Sequence, residues 1–218
     1  KTNVIGTYTI NPAKDHSECM QKLAEAGIYV LASLDSSEFY ISRSSPNWTV
    51  PLYERYTAVI DSLANYTNVL AFFAGNEVAN YYGNTQSLAF VKAAVRDMKA
   101  YIKAKGYRDI PIGYEGIDDD SIRQATAAYM TCDNDPVDFL GFNVYSWCGP
   151  SSFVASGYDK LTDSFSASTV PVFFSEYGCN NNPPRNFTEV QALYGDQMTE
   201  VWSGGLVYQY FQAVNNYG

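Results

Sequence analysis

The chain has 218 residues, 46% of them hydrophobic and 16% aromatic, and 14 basic against 23 acidic side chains give a net charge of −9. That length is enough to bury the core of one domain, so residues 1–218 read as a single domain. The acidic balance argues against nucleic acid or an anionic membrane surface as partner, and no run of 18 apolar residues marks a membrane span.

Residues 4–10, VIGTYTI, are β-rich and run into Asn11-Pro12, which predicts a strand followed by a loop. Residues 15–26 have helical character, with Cys19, Met20, Leu23 and Ala24 on one face and Gly27 as the stop. Residues 28–34, IYVLASL, form the next predicted strand. A polar loop containing Ser36, Ser37, Ser44, Ser45 and Pro46 leads to a helix over 51–66, where Tyr53, Tyr56, Val59, Ile60 and Leu63 recur at helical spacing.

VLAFFAGNEVAN, residues 69–80, is an apolar run that breaks into Gly75, Asn76 and Glu77. An amphipathic helix follows over 87–105, closed by Gly106. IPIGYEG, residues 110–116, is a strand carrying Glu115. Asp118, Asp119 and Asp120 lack the spaced oxygen donors of a metal loop and read as a solvated turn or helix start, with a short helix over 121–129.

Residues 137–148, VDFLGFNVYSWC, form a strand presenting Asn143, Tyr145 and Trp147, with a helix expected over 157–165. In residues 170–180, VPVFFSEYGCN, a short apolar run turns abruptly polar at Ser175 and Glu176. A helix over 188–202 and a strand over 204–211 complete the pattern. Strands alternate with helices throughout, which predicts an α/β fold with parallel strands. No glycine-rich phosphate-binding fingerprint follows any strand, so a barrel is favoured over an open dinucleotide-binding sheet.

Parallel strands are covered on both faces, and their C-terminal ends open into the loops where such folds hold ligands. Glu77 and Glu176 both stand at such ends. Glu176 taken alone is equally well read as a partner for a neighbouring cation. They lie 99 positions apart, about three strand–helix units, which would let them face each other across a barrel mouth. Two carboxyl groups across a cleft suit glycoside cleavage, one protonating the leaving oxygen while the other attacks the sugar, at about 5–5.5 Å separation in a retaining enzyme.

The 19 tyrosines offer flat faces with polar tips, which suit sugar rings as well as cores. Cys19, Cys132, Cys148 and Cys179 lack CxxC spacing, and only His16 supplies an imidazole. That argues against a metal site and against histidine-activated nucleophiles, and it favours disulfides. With the sequons at Asn47, Asn65 and Asn186, it points to a secreted glycoprotein.

The segments AGIYVLASL, FFAGNEV, VRDMK, FNVYSWCG, FFSEYGCN and GGLVYQYF together resemble glycoside hydrolase family 72, the fungal cell-wall β-1,3-glucanosyltransferases, over essentially the whole chain. The resemblance implies a (β/α)8 domain of TIM-barrel type. It also implies no cofactor, a β-1,3-glucan as donor and acceptor, a covalent glycosyl-enzyme, and a secreted, usually GPI-anchored protein at the fungal cell surface or wall.

Carried over residue by residue, it assigns Glu77 as acid/base, Glu176 as nucleophile and Asn76 as the amide on the sugar 2-hydroxyl. Tyr8, Tyr145, Tyr208 and Tyr217 match cleft tyrosines. Cys148 and Cys179 match a disulfide, while Cys19 and Cys132 match cysteines whose partners lie outside this chain. The family's first strand and helix have no counterpart here. Gly6 stands where the family has an Arg that supports the nucleophile, Ser33 where many members have Asp, and Glu115 where a smaller residue is expected. A retaining β-glucan hydrolase and a catalytically silent glucan-binding wall protein are the alternative readings.

Overall fold

A computed structural model of the chain describes residues 2–132 and 135–211. It divides into two units, Lys1–Phe139 and Leu140–Gly218.

The first unit begins with strand β1 (Val4–Thr7), helix α1 (Ser17–Glu25), β2 (Tyr29–Ser33) and α2 (Val50–Leu63). β3 (Val69–Asn76), a 3-10 turn (Tyr82–Ser87), α3 (Leu88–Lys105), β4 (Ile112–Ile117) and α4 (Arg123–Thr131) follow. β1 to β4 pair in sequence order, each parallel to the next, with Gly6 opposite Leu31, Ala32 opposite Phe72 and Asn76 opposite Glu115. Parallel neighbours bury both faces of a strand, and accordingly β2 is buried continuously from Val30 to Ser33 and β4 from Ile112 to Gly116.

The helices follow their apolar stripes. In α2, Leu52, Tyr56, Val59, Ile60 and Leu63 are buried, and the Tyr56 hydroxyl donates to the Ala74 carbonyl at 3.0 Å, pinning the helix to β3. α3 buries Val91, Ala94, Val95, Met98 and Ile102 and ends at Gly106, whose φ of 69° lets the chain turn back over the last carbonyls.

In the second unit β5 (Leu140–Val144), α5 (Tyr158–Phe165), β6 (Val172–Tyr177), α6 (Glu189–Leu193) and β7 (Trp202–Val207) repeat the construction. β6 lies between β5 and β7, all parallel, with Asn143 opposite Glu176 and Tyr177 opposite Val207. The core is aromatic. Phe174 packs edge-on against Tyr158 and Trp202, Phe165 packs edge-on against Trp202 and tilted against Phe142, and the Trp202 indole donates to the Thr162 hydroxyl at 3.1 Å.

Several sequence expectations change in extent, among them the last strand, expected over 204–211 and found at Trp202–Val207. The strand expected over 137–148 is confined to Leu140–Val144; ahead of it the Val137 amide donates to the Met130 carbonyl of α4 at 2.9 Å. The helix expected over 188–202 stops at Leu193; Gly195 follows, where even a Cβ would press on the Gln191 carbonyl. The apolar face assigned to the first helix buries Met20 alone, leaving Cys19 exposed. The first strand ends at Thr7 and not at Ile10. No helix among the described residues is long and apolar enough to cross a membrane.

Candidate active site

Two strand ends carry the carboxylates singled out by the sequence, one in each unit. In the first unit, β3 ends at Asn76 and Glu77 follows with φ of 46°, a left-handed conformation that a non-glycine residue adopts only when its surroundings impose it. Two bonds impose it here. The Glu77 amide donates to the Glu115 carbonyl at 2.8 Å, and the Glu77 carbonyl accepts from Nη2 of Arg43 at 2.7 Å. The Glu77 backbone is thus clamped from β4 on one side and from the loop after β2 on the other.

Glu115, Asn76's partner across the β3–β4 ladder, is itself buried, with 3% of its surface exposed. Tyr8 lies just past β1 and is 41% exposed. Ser33 and Gly6 occupy the strands β2 and β1 as the sequence reading places them.

A cavity of about 290 Å³ opens at the ends of β2 and β3, lined by Asp35, Tyr40, Ser42, Arg43, Asn76 and others. Asp35 is not among the residues that the sequence singles out, although it follows an apolar strand. Burial pushes its carboxyl up to about 7, against the pull of the backbone amides of Asp35 and Asn76 and of the Arg55 guanidinium.

In the second unit Glu176 is the penultimate residue of β6 and is 8% exposed. Its Oε2 accepts the Tyr145 hydroxyl at 2.6 Å. Tyr145 can reach it because it directly follows β5, whose Asn143 stands opposite Glu176 in the ladder. A short hydrogen bond from a phenol favours the ionised carboxylate and opposes the effect of burial. Beneath it, the Ser175 hydroxyl donates to Oδ1 of Asn143 at 2.9 Å, a buried link between β5 and β6.

The Cys148–Cys179 disulfide ties the segments that leave β5 and β6, with Cα atoms 5.1 Å apart. Arg185 donates through Nη2 to the carbonyls of Gly178 and Tyr208, so the chain after β6 and the chain after β7 are held by one guanidinium. The Tyr208 amide in turn donates to the Tyr177 carbonyl at 2.9 Å. Burial, with the charges of Tyr194 and Glu189 adding to it, pushes the Tyr177 phenol up to about 12. Tyr177 therefore stays neutral at working pH.

The structure brings Tyr145 and Glu176 into direct contact and sets Asn76 beside Glu77 along the chain. Tyr217 lies outside the described residues. Asn47, Asn65 and Asn186 are all exposed, and Thr188 of the third sequon accepts the Trp147 indole N–H at 2.9 Å. Arg43 and Arg185 have no signal of their own in the sequence, since each acts through partners several to many positions away. Among the described residues no cluster of three or more His, Cys, Asp or Glu could hold a metal ion.

Comparison with known proteins gives a consistent result. Residues 1–218 match the glycoside hydrolase 72 family model, described as glucanosyltransferase. Over the whole chain it is 57% identical to a 1,3-beta-glucanosyltransferase of Arthroderma benhamiae and 56% identical to Protein EPD1 of Candida maltosa, covering 40% of each. The chain thus spans about two-fifths of the length of these curated relatives. Among solved structures it is similar to Saccharomyces cerevisiae Gas2p in complex with laminaritetraose and laminaripentaose, with a TM-score of 0.98 and 47% identity over 99% of this chain and 49% of that one.

Proposed function

Because the chain belongs to the glucanosyltransferase family, glycoside hydrolase family 72, we propose that it carries out the cleaving and joining steps of a retaining β-1,3-glucanosyltransferase acting on glucan at the fungal cell surface or wall. What supports this most is that all 218 residues fall within that family while β3 and β6 end in carboxylates whose settings differ: Glu77 on a clamped turn, Glu176 buried against a phenol.

The proposed reaction has two displacements. Ionised Glu176 attacks the anomeric carbon of a glucosyl ring, and as the bond to the leaving oxygen breaks, Glu77 gives that oxygen its proton. The non-reducing fragment stays esterified to Glu176. In the second step, the hydroxyl at the non-reducing end of an acceptor glucan loses its proton to Glu77 and attacks the same carbon, and Glu176 departs as a carboxylate. Two inversions give net retention.

The Tyr145 hydrogen bond serves both steps. It keeps Glu176 ionised before attack and stabilises it as a leaving group afterwards. Asn76, adjacent to Glu77, is the amide that would hold the 2-hydroxyl of the attacked ring. Transfer requires that an acceptor sugar outcompete water, and Tyr8, Tyr208 and Tyr217 are the aromatic side chains proposed to stack sugar rings.

The test is the product profile from a reduced laminarin oligosaccharide. Products longer than the donor are expected, with Glu77→Gln and Glu176→Gln each lowering their rate of formation by about a thousandfold or more. Products that are only shorter would make the protein a hydrolase, and glucan binding without turnover would make it a silent binding protein.

A further inference from the structure

We infer that the cavity at the ends of β2 and β3 is a glucosyl-binding subsite adjoining the cleaved bond, with Tyr40 as its stacking face and Asp35 as the carboxyl that reads ring hydroxyls. The inference rests on the function proposed above and adds to it a substrate-binding role for two residues that the catalytic steps do not use.

The first observation is composition. The cavity presents a carboxyl, a guanidinium, a carboxamide, two hydroxyls and an aromatic ring, from Asp35, Arg43, Asn76, Ser42, Ser44 and Tyr40. A neutral, hydroxyl-rich ring is the ligand that such a set satisfies, with planar polar groups bridging adjacent hydroxyls and an aromatic face covering the C–H surface. A volume of about 290 Å³ falls at the small end of ligand sites and suits one sugar ring of a longer chain.

The second is position. Asn76 lines the cavity and immediately precedes Glu77, and Arg43, another lining residue, holds the Glu77 carbonyl at 2.7 Å. A ring seated here contacts the same segment that carries the proposed acid.

The third is preorganisation. Tyr40 is 52% exposed, yet its loop is tied down. The Ser36 amide donates to the Phe39 carbonyl at 2.9 Å, the Phe39 amide to the Ser36 hydroxyl at 3.2 Å, and the Ser45 amide to the Ser42 hydroxyl at 3.3 Å. An aromatic side chain exposed on a fixed loop loses little freedom when a ligand covers it.

The subsite carries a pH signature. Asp35 changes charge near pH 7, and the charged and titratable groups around it are Arg55 and Tyr56 from α2 and Arg43 from its own loop, with Glu77 next to Asn76 past β3. An ionised carboxylate accepts hydroxyl hydrogen bonds more strongly than the neutral acid does. Affinity for the sugar therefore rises with pH through that range.

The deciding measurement is calorimetric titration of laminaritriose into the full-length protein carrying Glu77→Gln, which removes turnover. Adding Tyr40→Ala is expected to weaken binding about tenfold, and adding Tyr40→Phe to leave it within about twofold. Between pH 6 and 8 the Kd is expected to tighten severalfold with Asp35 present and to stay level with Asp35→Asn. Equal affinities in all variants and a pH response unchanged by Asp35→Asn overturn the subsite. Cooperative thermal unfolding checks each variant, and the Asp35→Asn comparison decides alone should Tyr40→Ala not fold. In parallel, the unmutated enzyme is assayed for products longer than its donor; their absence overturns the function, while the titration still decides the subsite.

Discussion

Glu77 and Glu176 are held in opposite ways, and the difference sets what each can do. Glu77 is fixed through its backbone by Arg43 and Glu115, whereas Glu176 is fixed through its carboxylate by Tyr145. Tyr145→Phe is expected to lower kcat/KM for transfer by about 10- to 100-fold, the worth of a hydrogen bond to a charged group of roughly 1.5–3 kcal/mol. Asp35 makes a second prediction at this scale. Its folded-state carboxyl titrates at about 7 against an ordinary value of 3.8, so between those values the unfolded chain has released a proton that the folded chain still holds. Stability consequently falls as pH rises through that window, by at most about 4 kcal/mol, and is level above it. Asp35→Asn should remove this component of the slope, which thermal unfolding at pH 5 and pH 8 would measure.

At the scale of elements, the second unit relies on links between strand ends. The disulfide closes a loop of sequence separation 31 between the segments following β5 and β6. Chain-entropy reasoning values such a closure at about 2–4 kcal/mol. Cys148→Ser with Cys179→Ser should lower the midpoint of thermal unfolding accordingly, while the unmutated chain under oxidising conditions keeps its midpoint. In the first unit the tight point is Gly113 of β4, over which the Phe139 ring lies so closely that a Cβ would overlap it. Phe139 also packs edge-on against Phe73, 5.3 Å between centroids, so it has little room to withdraw. Gly113→Ala should destabilise by about 1–3 kcal/mol, read from denaturant unfolding.

At the scale of the whole molecule, the net charge of −9 has a kinetic consequence. A neutral glucan is neither attracted nor repelled by that field, so kcat/KM for oligosaccharide transfer should change less than about twofold between low salt and physiological ionic strength. A steep salt dependence would point to a charged substrate and against a plain glucan.

Much of the fold and the principal candidate residues are legible in the chain itself, for a local reason. Parallel strands bury both faces, so VLAFFAGNE and VPVFFSE announce their ends by an abrupt change of polarity, and Glu77 and Glu176 stand at those ends. Helical periodicity located α2 and α3 for the same reason. The stretch over 188–202 misled because its composition suits a helix while Gly195 and the turns after Leu193 do not sustain one. Other features required the tertiary structure. Arg43 reaches the Glu77 carbonyl across 34 positions and Tyr145 reaches Glu176 across 31, contacts set by ladder register and loop packing that no sequence periodicity encodes. Asp35 shows the division within one residue. Its place after an apolar strand was readable, but its shifted carboxyl depends on burial created by loop and helix residues remote in the chain, and only the folded arrangement decided that.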